Sequence, residues 1–114
     1  MANTFKLVTK AGVTSSDVIY TPDSVTTVVL GLILGNTTTS QVTATVSLAS
    51  TTSSRAGDNN ENNQTVELIT NTPIPAGSSL ELLGGNKVVM ENNDALSVSA
   101  TGSTDVALSI MEIS

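Results

Sequence analysis

Val42-Thr43-Ala44-Thr45-Val46-Ser47-Leu48 alternates apolar and hydroxyl-bearing side chains without a break. Successive side chains of a strand point to opposite faces, so Val42, Ala44, Val46 and Leu48 share one face while Thr43, Thr45 and Ser47 share the other. This is the pattern of a half-buried strand. Leu96, Val98 and Ala100 repeat it, as do Val106, Leu108 and Ile110. Val66 with Leu68, and Leu80 with Leu82, mark two shorter strands, and Phe5, Leu7 and Val18-Ile19-Tyr20 supply the first ones. No stretch carries a helical stripe longer than two turns.

The breaks between these runs have turn chemistry. Thr21-Pro22-Asp23-Ser24, Gly35-Asn36, Gly84-Gly85-Asn86, Glu91-Asn92-Asn93-Asp94 and Thr101-Gly102-Ser103 offer residues that tolerate positive φ or pre-set it near −65°. Pro73-Ile74-Pro75-Ala76-Gly77 is stiff and extended, and its prolines confine it to an edge strand or a connector. Short strands spaced by about ten residues predict an all-β chain: an antiparallel β-sandwich or jelly roll of about eight strands, with residues 1–114 as a single domain. Val42, Val46, Leu68, Leu82, Val98, Leu108 and Ile110 are its expected inward residues.

Two stretches break the alternation. Val28-Val29-Leu30-Gly31-Leu32-Ile33-Leu34 reads as apolar on both faces, and Met111 and Ile113 fall out of phase with Val106, Leu108 and Ile110. One core cannot take all of these side chains. The expectation is a contact with a neighbouring subunit, or a cover over Val28–Leu34 supplied by Phe5–Val8. Phe5, Val29, Ile33, Met111 and Ile113 are therefore candidate interface residues.

Composition narrows the chemistry. The chain has no His, no Cys and no Trp, with one Tyr and one Phe. The usual neutral-pH general base is missing, and so are the ligands of zinc and iron–sulfur sites. No cofactor, no metal site and no enzymatic activity are expected. Ten carboxylates face only Lys6, Lys10, Arg55 and Lys87, for a net charge of −6, so nucleic-acid binding lacks its driving force. The longest apolar run is too short to span a bilayer, and the first residues carry no signal-peptide core. The expectation is a protein made in the cytoplasm that interacts with no membrane. Absence of cysteine fits a reducing compartment.

Individual candidates read as structural. Asp58-Asn59-Asn60-Glu61-Asn62 resembles the opening of a calcium loop, but Asn63 stands where the turn needs Gly and Ile69 where the bidentate Glu belongs. Ser50–Gln64 is otherwise a polar connection, and Arg55 within it is a candidate partner contact through a bidentate carboxylate pair. Glu67 and Glu81 would need to converge in a pocket for acid–base work. Strand-face charge is the plainer reading. Asp17, Asp23, Asp94 and Asp105 lie where short carboxylates accept backbone N–H bonds. Ser15-Ser16, Ser53-Ser54 and Ser78-Ser79 have no adjacent base. The sequons Asn36-Thr37-Thr38 and Asn63-Gln64-Thr65 are read as chance.

The chain as a whole resembles small virion structural proteins of tailed bacteriophages, including those of cyanobacteria. The resemblance lies in Met1–Lys6 leading to Val18-Ile19-Tyr20-Thr21-Pro22 and Thr26–Leu32. It continues in Thr72-Pro73-Ile74-Pro75-Ala76-Gly77-Ser78-Ser79-Leu80 and Leu83–Glu91, and ends in Asp105–Ser114. It implies a many-copy particle component without enzymatic activity, located in the virion. The expected role is a capsid decoration (cement) protein stabilising the head. A neck or tail component is the alternative, and a carbohydrate-binding surface module is a third that the scarcity of aromatics disfavours. Expected partners are the major capsid protein or other virion proteins, and further copies of the chain, with a trimer at a local threefold as the expected symmetry.

Overall fold

The computed structural model describes residues 2–50, 64–83 and 85–114, and it is all-β. Among the described residues nine strands follow one another: β1 (Asn3–Val13), β2 (Ser16–Tyr20), β3 (Thr26–Asn36), β4 (Val42–Ser50), β5 (Gln64–Ile74), β6 (Ser79–Leu82), β7 (Val88–Met90), β8 (Ala95–Ala100) and β9 (Thr104–Ile113). They form two antiparallel sheets. Sheet A has the order β1-β9-β3-β6, with β7 also paired to β3, and sheet B the order β2-β8-β4-β5. Apart from the β4–β5 and β6–β7 links, consecutive strands change sheet. That alternation, with first and last strands paired, is the jelly-roll topology. The strand absent from the sequence reading is β7, whose three residues are too few to show a period.

Period 2 sets the core. In sheet A, Val8, Leu108, Leu32 and Leu82 stand in one register row, and Lys10, Val106, Leu34 and Leu80 in another. In sheet B the central row holds Val98 and Val46. Val46, Val98, Leu108, Leu32 and Leu34 are fully buried, Val42 and Ile110 nearly so, and Leu68 and Leu82 pack partly buried against them. All seven expected inward residues thus contribute to the core. Pro73 lies in β5, the edge strand of sheet B, as its missing N–H requires.

Val28–Leu34 is apolar on both faces as expected, but the assignment of its residues to those faces is corrected here. A β-bulge falls between Val29 and Gly31: Val29 pairs with Ile110 and Gly31 with Ser109, leaving Leu30 without a partner in the register. One extra residue reverses the phase. Val29 therefore points inward with Leu32 and Leu34, and only Val28, Gly31 and Ile33 face outward. Nor does Phe5–Val8 cover this strand, because β1 lies in the same sheet, beside β9.

Replacing Val46 or Leu108 by Asp would place an unpaired carboxylate in the core at a cost of several kcal/mol, and loss of the cooperative unfolding transition in urea is the expected outcome. Deleting Leu30 leaves the inward set of β3 unchanged. Deleting Leu32 removes a fully buried side chain, at about 3–5 kcal/mol by analogy with large-to-small core substitutions. Thermal melts of the two deletions should show the first folded and the second severely destabilised.

Candidate interaction faces

The outer faces of the two sheets differ in chemistry. Across sheet A, Phe5 pairs with Met111, Met111 with Val28, and Val28 with Val89, giving one straight apolar row over β1, β9, β3 and β7. Phe5 is 72% exposed and Val89 57%, at the two ends of the row, while Met111 and Val28 between them are half-buried. Leu7, 66% exposed, and Ile33, 46% exposed, extend the same face. Between these two lies a shallow depression of about 250 Å³ whose lining includes Gly31, Ala107 and Ser109. A Cβ added at Gly31 would meet nothing within 4 Å, so the face is open there.

Sheet B presents hydroxyls on its two central strands, with Val18, 60% exposed, as an apolar side chain at one edge. Val18, Ser97, Ser47 and Glu67 form one row across all four strands, and Ser16, Ser99 and Thr45 form the next. Thr45 Oγ1 accepts the backbone N–H of Asn71 at 3.0 Å, and Thr70 donates to Glu67 Oε1 at 2.5 Å. Such a face is satisfied in water.

These registers place the expected contact residues. Phe5 and Ile33 are exposed on the outer face of sheet A, and Met111 and Ile113 are half-buried on it, out of phase with Leu108 and Ile110 as the sequence reading has it. Val29 is the correction: it is 0% exposed within its own sandwich, because the bulge turns it inward. Arg55 and the calcium-like stretch Asp58–Asn62 lie outside the described residues. Glu67 and Glu81 cannot converge, since Glu67 pairs with Ser47 on the outside of sheet B and Glu81 with Ile33 on the outside of sheet A.

Two of the short carboxylates accept backbone N–H bonds, Asp94 within a turn and Asp105 across the irregular end of β1. Asp105 Oδ1 accepts Gly12 N–H at 2.9 Å, and Asp94 Oδ2 accepts Glu91 N–H at 2.9 Å. Asn36, 3% exposed, uses both ends of its amide: Nδ2 donates to Ser40 and Ile74 carbonyls, and Oδ1 accepts from Thr38 N–H and Oγ1–H. A glycan cannot be attached to that nitrogen in the folded protein, so the first sequon is structural.

Sequence reasoning missed one polar cluster. Tyr20 ends β2 in sheet B and reaches sheet A, where its hydroxyl donates to Glu112 Oε2 at 2.6 Å and meets Thr27 Oγ1 at 2.7 Å. The phenol has one proton, so with it on Glu112 the Thr27 hydroxyl is the donor in the second bond. Lys6 Nζ lies 2.8 Å from Glu112 Oε1 and ties in β1. Burial, reinforced by the Glu112 bond, pushes the Tyr20 hydroxyl up to about 12. The bonds from Lys6 and then Tyr20 hold the Glu112 carboxyl below its ordinary value. Four residues on four strands, most of them far apart in sequence, leave no local signal to read.

No protein-family model and no curated protein matches the sequence. Among solved structures, the chain is similar to one described as Bacillus endospore appendages that form a novel family of disulfide-linked pili. Identity is 12% and the TM-score 0.43, over 96% of this chain and 85% of that one. It is also similar to a chain of the T13 viral particle of IBDV, at 11% identity and a TM-score of 0.39, over 96% of this chain and 35% of that one. At TM-scores below 0.5 these likenesses carry nothing about function.

The polar cluster sets a pH dependence with two limbs. Glu112 is depressed, so its contribution is present above the unfolded carboxyl value and lost as pH falls through the lower folded one. Tyr20 is raised, so its contribution holds below the ordinary 10.0 and is lost as pH rises from there through about 12. Tyr20→Phe should cost about 1–3 kcal/mol through the two lost bonds and flatten the alkaline limb, measured by urea unfolding at stepped pH.

Proposed function

We propose that the protein is a non-enzymatic structural subunit of a virion, a capsid decoration (cement) protein that docks through the outer face of sheet A. The observation that carries this reading is the asymmetry of the sandwich. One face bears an apolar row with exposed ends, and the other bears hydroxyl rows suited to solvent. Large exposed apolar side chains aligned on a rigid sheet mark an interaction surface. The resemblance to small phage virion proteins supplies the kind of particle, and the jelly-roll topology supports it only as a scaffold that hosts many functions.

Magnitudes favour a broad contact. Fully burying one such side chain is worth roughly 1.5–3 kcal/mol. Association costs on the order of 4–15 kcal/mol in lost freedom. One side chain does not offset this; Phe5, Leu7, Ile33 and Val89 together with their half-buried neighbours do. Glu81 and Asp105 lie on this face beside Ile33 and leave the Phe5–Met111–Val28–Val89 row itself uncharged, which keeps its desolvation cheap. The partner is the major capsid protein or another virion protein, with many copies bound per particle.

Particles lacking the protein should assemble normally and release their DNA at a lower temperature, and adding it back should restore resistance. Failure to join heads to tails would assign it to the neck instead. Met111→Ala should weaken co-sedimentation with particles while shifting the free protein's melting temperature little. Equal loss of both would place Met111 in the fold and not in the docking face.

A further inference from the structure

Phe5, the most exposed large apolar side chain among the described residues, stands where the apolar row reaches the outer edge of sheet A. We propose that this edge is completed by a second copy of the chain, β1 pairing antiparallel with β1 about a two-fold axis at Leu7. This deepens the reading above by naming the first partner.

A comparison of sheet edges carries the inference. An edge strand exposes unpaired N–H and C=O groups, and proteins blunt such edges with short strands, bulges or proline. β2 spans five residues and shifts register between Val18 and Tyr20. β5 contains two register shifts in its pairing with β4, Asn71 at a φ of 47°, and Pro73. β6 and β7 span four and three residues. Of the edge strands longer than four residues, β1 alone keeps an unbroken register with its neighbour over most of its length, from Asn3 to Lys10, and only then shifts, near Gly12 at a φ of 67°. Among the described residues nothing pairs with its outer side. The longest regular edge is thus the one whose ladder groups stay open; of the two lysines that guard it, Lys6 is drawn to Glu112 of its own sandwich, and Lys10 stands near the end of the regular stretch.

Charge and ladder length together select the register. Directly opposed like charges destabilise a strand pair. Centring the axis on Lys6 sets Lys6 against itself, and centring it on Val8 sets Lys6 against Lys10. Centring on Phe5 keeps only Asn3–Leu7 in the ladder. Centring on Leu7 uses Asn3–Ala11 and opposes Lys6 to Val8, Phe5 to Thr9, and Leu7 to Leu7. In that register Leu7 of each copy lies diagonal to Phe5 of the other, and the apolar row continues across the axis. The contact is isologous, so it closes as a dimer, where the sequence reading expected a threefold. Two docking faces then lie side by side on one continuous sheet.

The cysteine-free chain permits a direct test through single substitutions at exposed β1 positions. Leu7→Cys should form a disulfide-linked dimer on mild oxidation, since opposed Cβ atoms lie near bonding range. Phe5→Cys mixed with Thr9→Cys should cross-link to each other more than either does alone. Wild-type protein should sediment as a dimer and Leu7→Lys as a folded monomer with an unchanged circular dichroism spectrum. A monomeric wild type, or cross-linking that ignores register, overturns the proposal. A dimer that never binds particles would sink the virion reading and leave this one standing.

Discussion

One unpaired residue, Leu30, governs the architecture of sheet A. β3 lies at the middle of that sheet and must send Thr27, Val29, Leu32 and Leu34 to the same side, although Val29 and Leu32 differ in parity. A regular strand would bury Gly31 and Ile33 at the expense of Leu32 and Leu34. The bulge reconciles the two halves: it keeps the large side chains within and leaves Gly31 on the outside, where the small residue opens a depression beside Leu7 and Ile33. Packing and surface shape thus follow from the same local irregularity.

The two outer faces then diverge because their strands differ in what occupies the outward phase. β4 and β8 place Thr and Ser there, groups that water or neighbouring backbone satisfies. β1, β9 and β3 place Phe5, Met111 and Val28 there instead, in direct register. Exposed apolar residues scattered singly need no explanation. Aligned on adjacent strands, they form a surface. The Tyr20–Thr27–Glu112–Lys6 cluster fixes β1, β2, β3 and β9 together at one end, so that surface is presented on a braced sheet.

Most of the sandwich was legible because period 2 is a local signal. Val42–Leu48, Leu96–Ala100 and Val106–Ile110 each carry enough alternation to fix both strand and inward face. Val88–Met90 is too short to show it. Val29 was misread for a different reason: a single-residue bulge leaves the hydrophobic run intact while reversing its phase, so composition is preserved and orientation is not. Met111 and Ile113 were legible as outward residues because β9 has no such break. The Tyr20–Glu112 bond joins residues 92 apart in sequence, and no spacing rule reaches that far.

Thiol accessibility on assembled particles tests the docking face most directly. Ile33→Cys reports the outer face of sheet A, and Ser97→Cys that of sheet B, in a chain with no other thiol. Both should react readily with a maleimide in the free protein. On particles, Ile33→Cys should become protected while Ser97→Cys reacts as before. Protection of Ser97→Cys with Ile33→Cys still reactive would contradict the account.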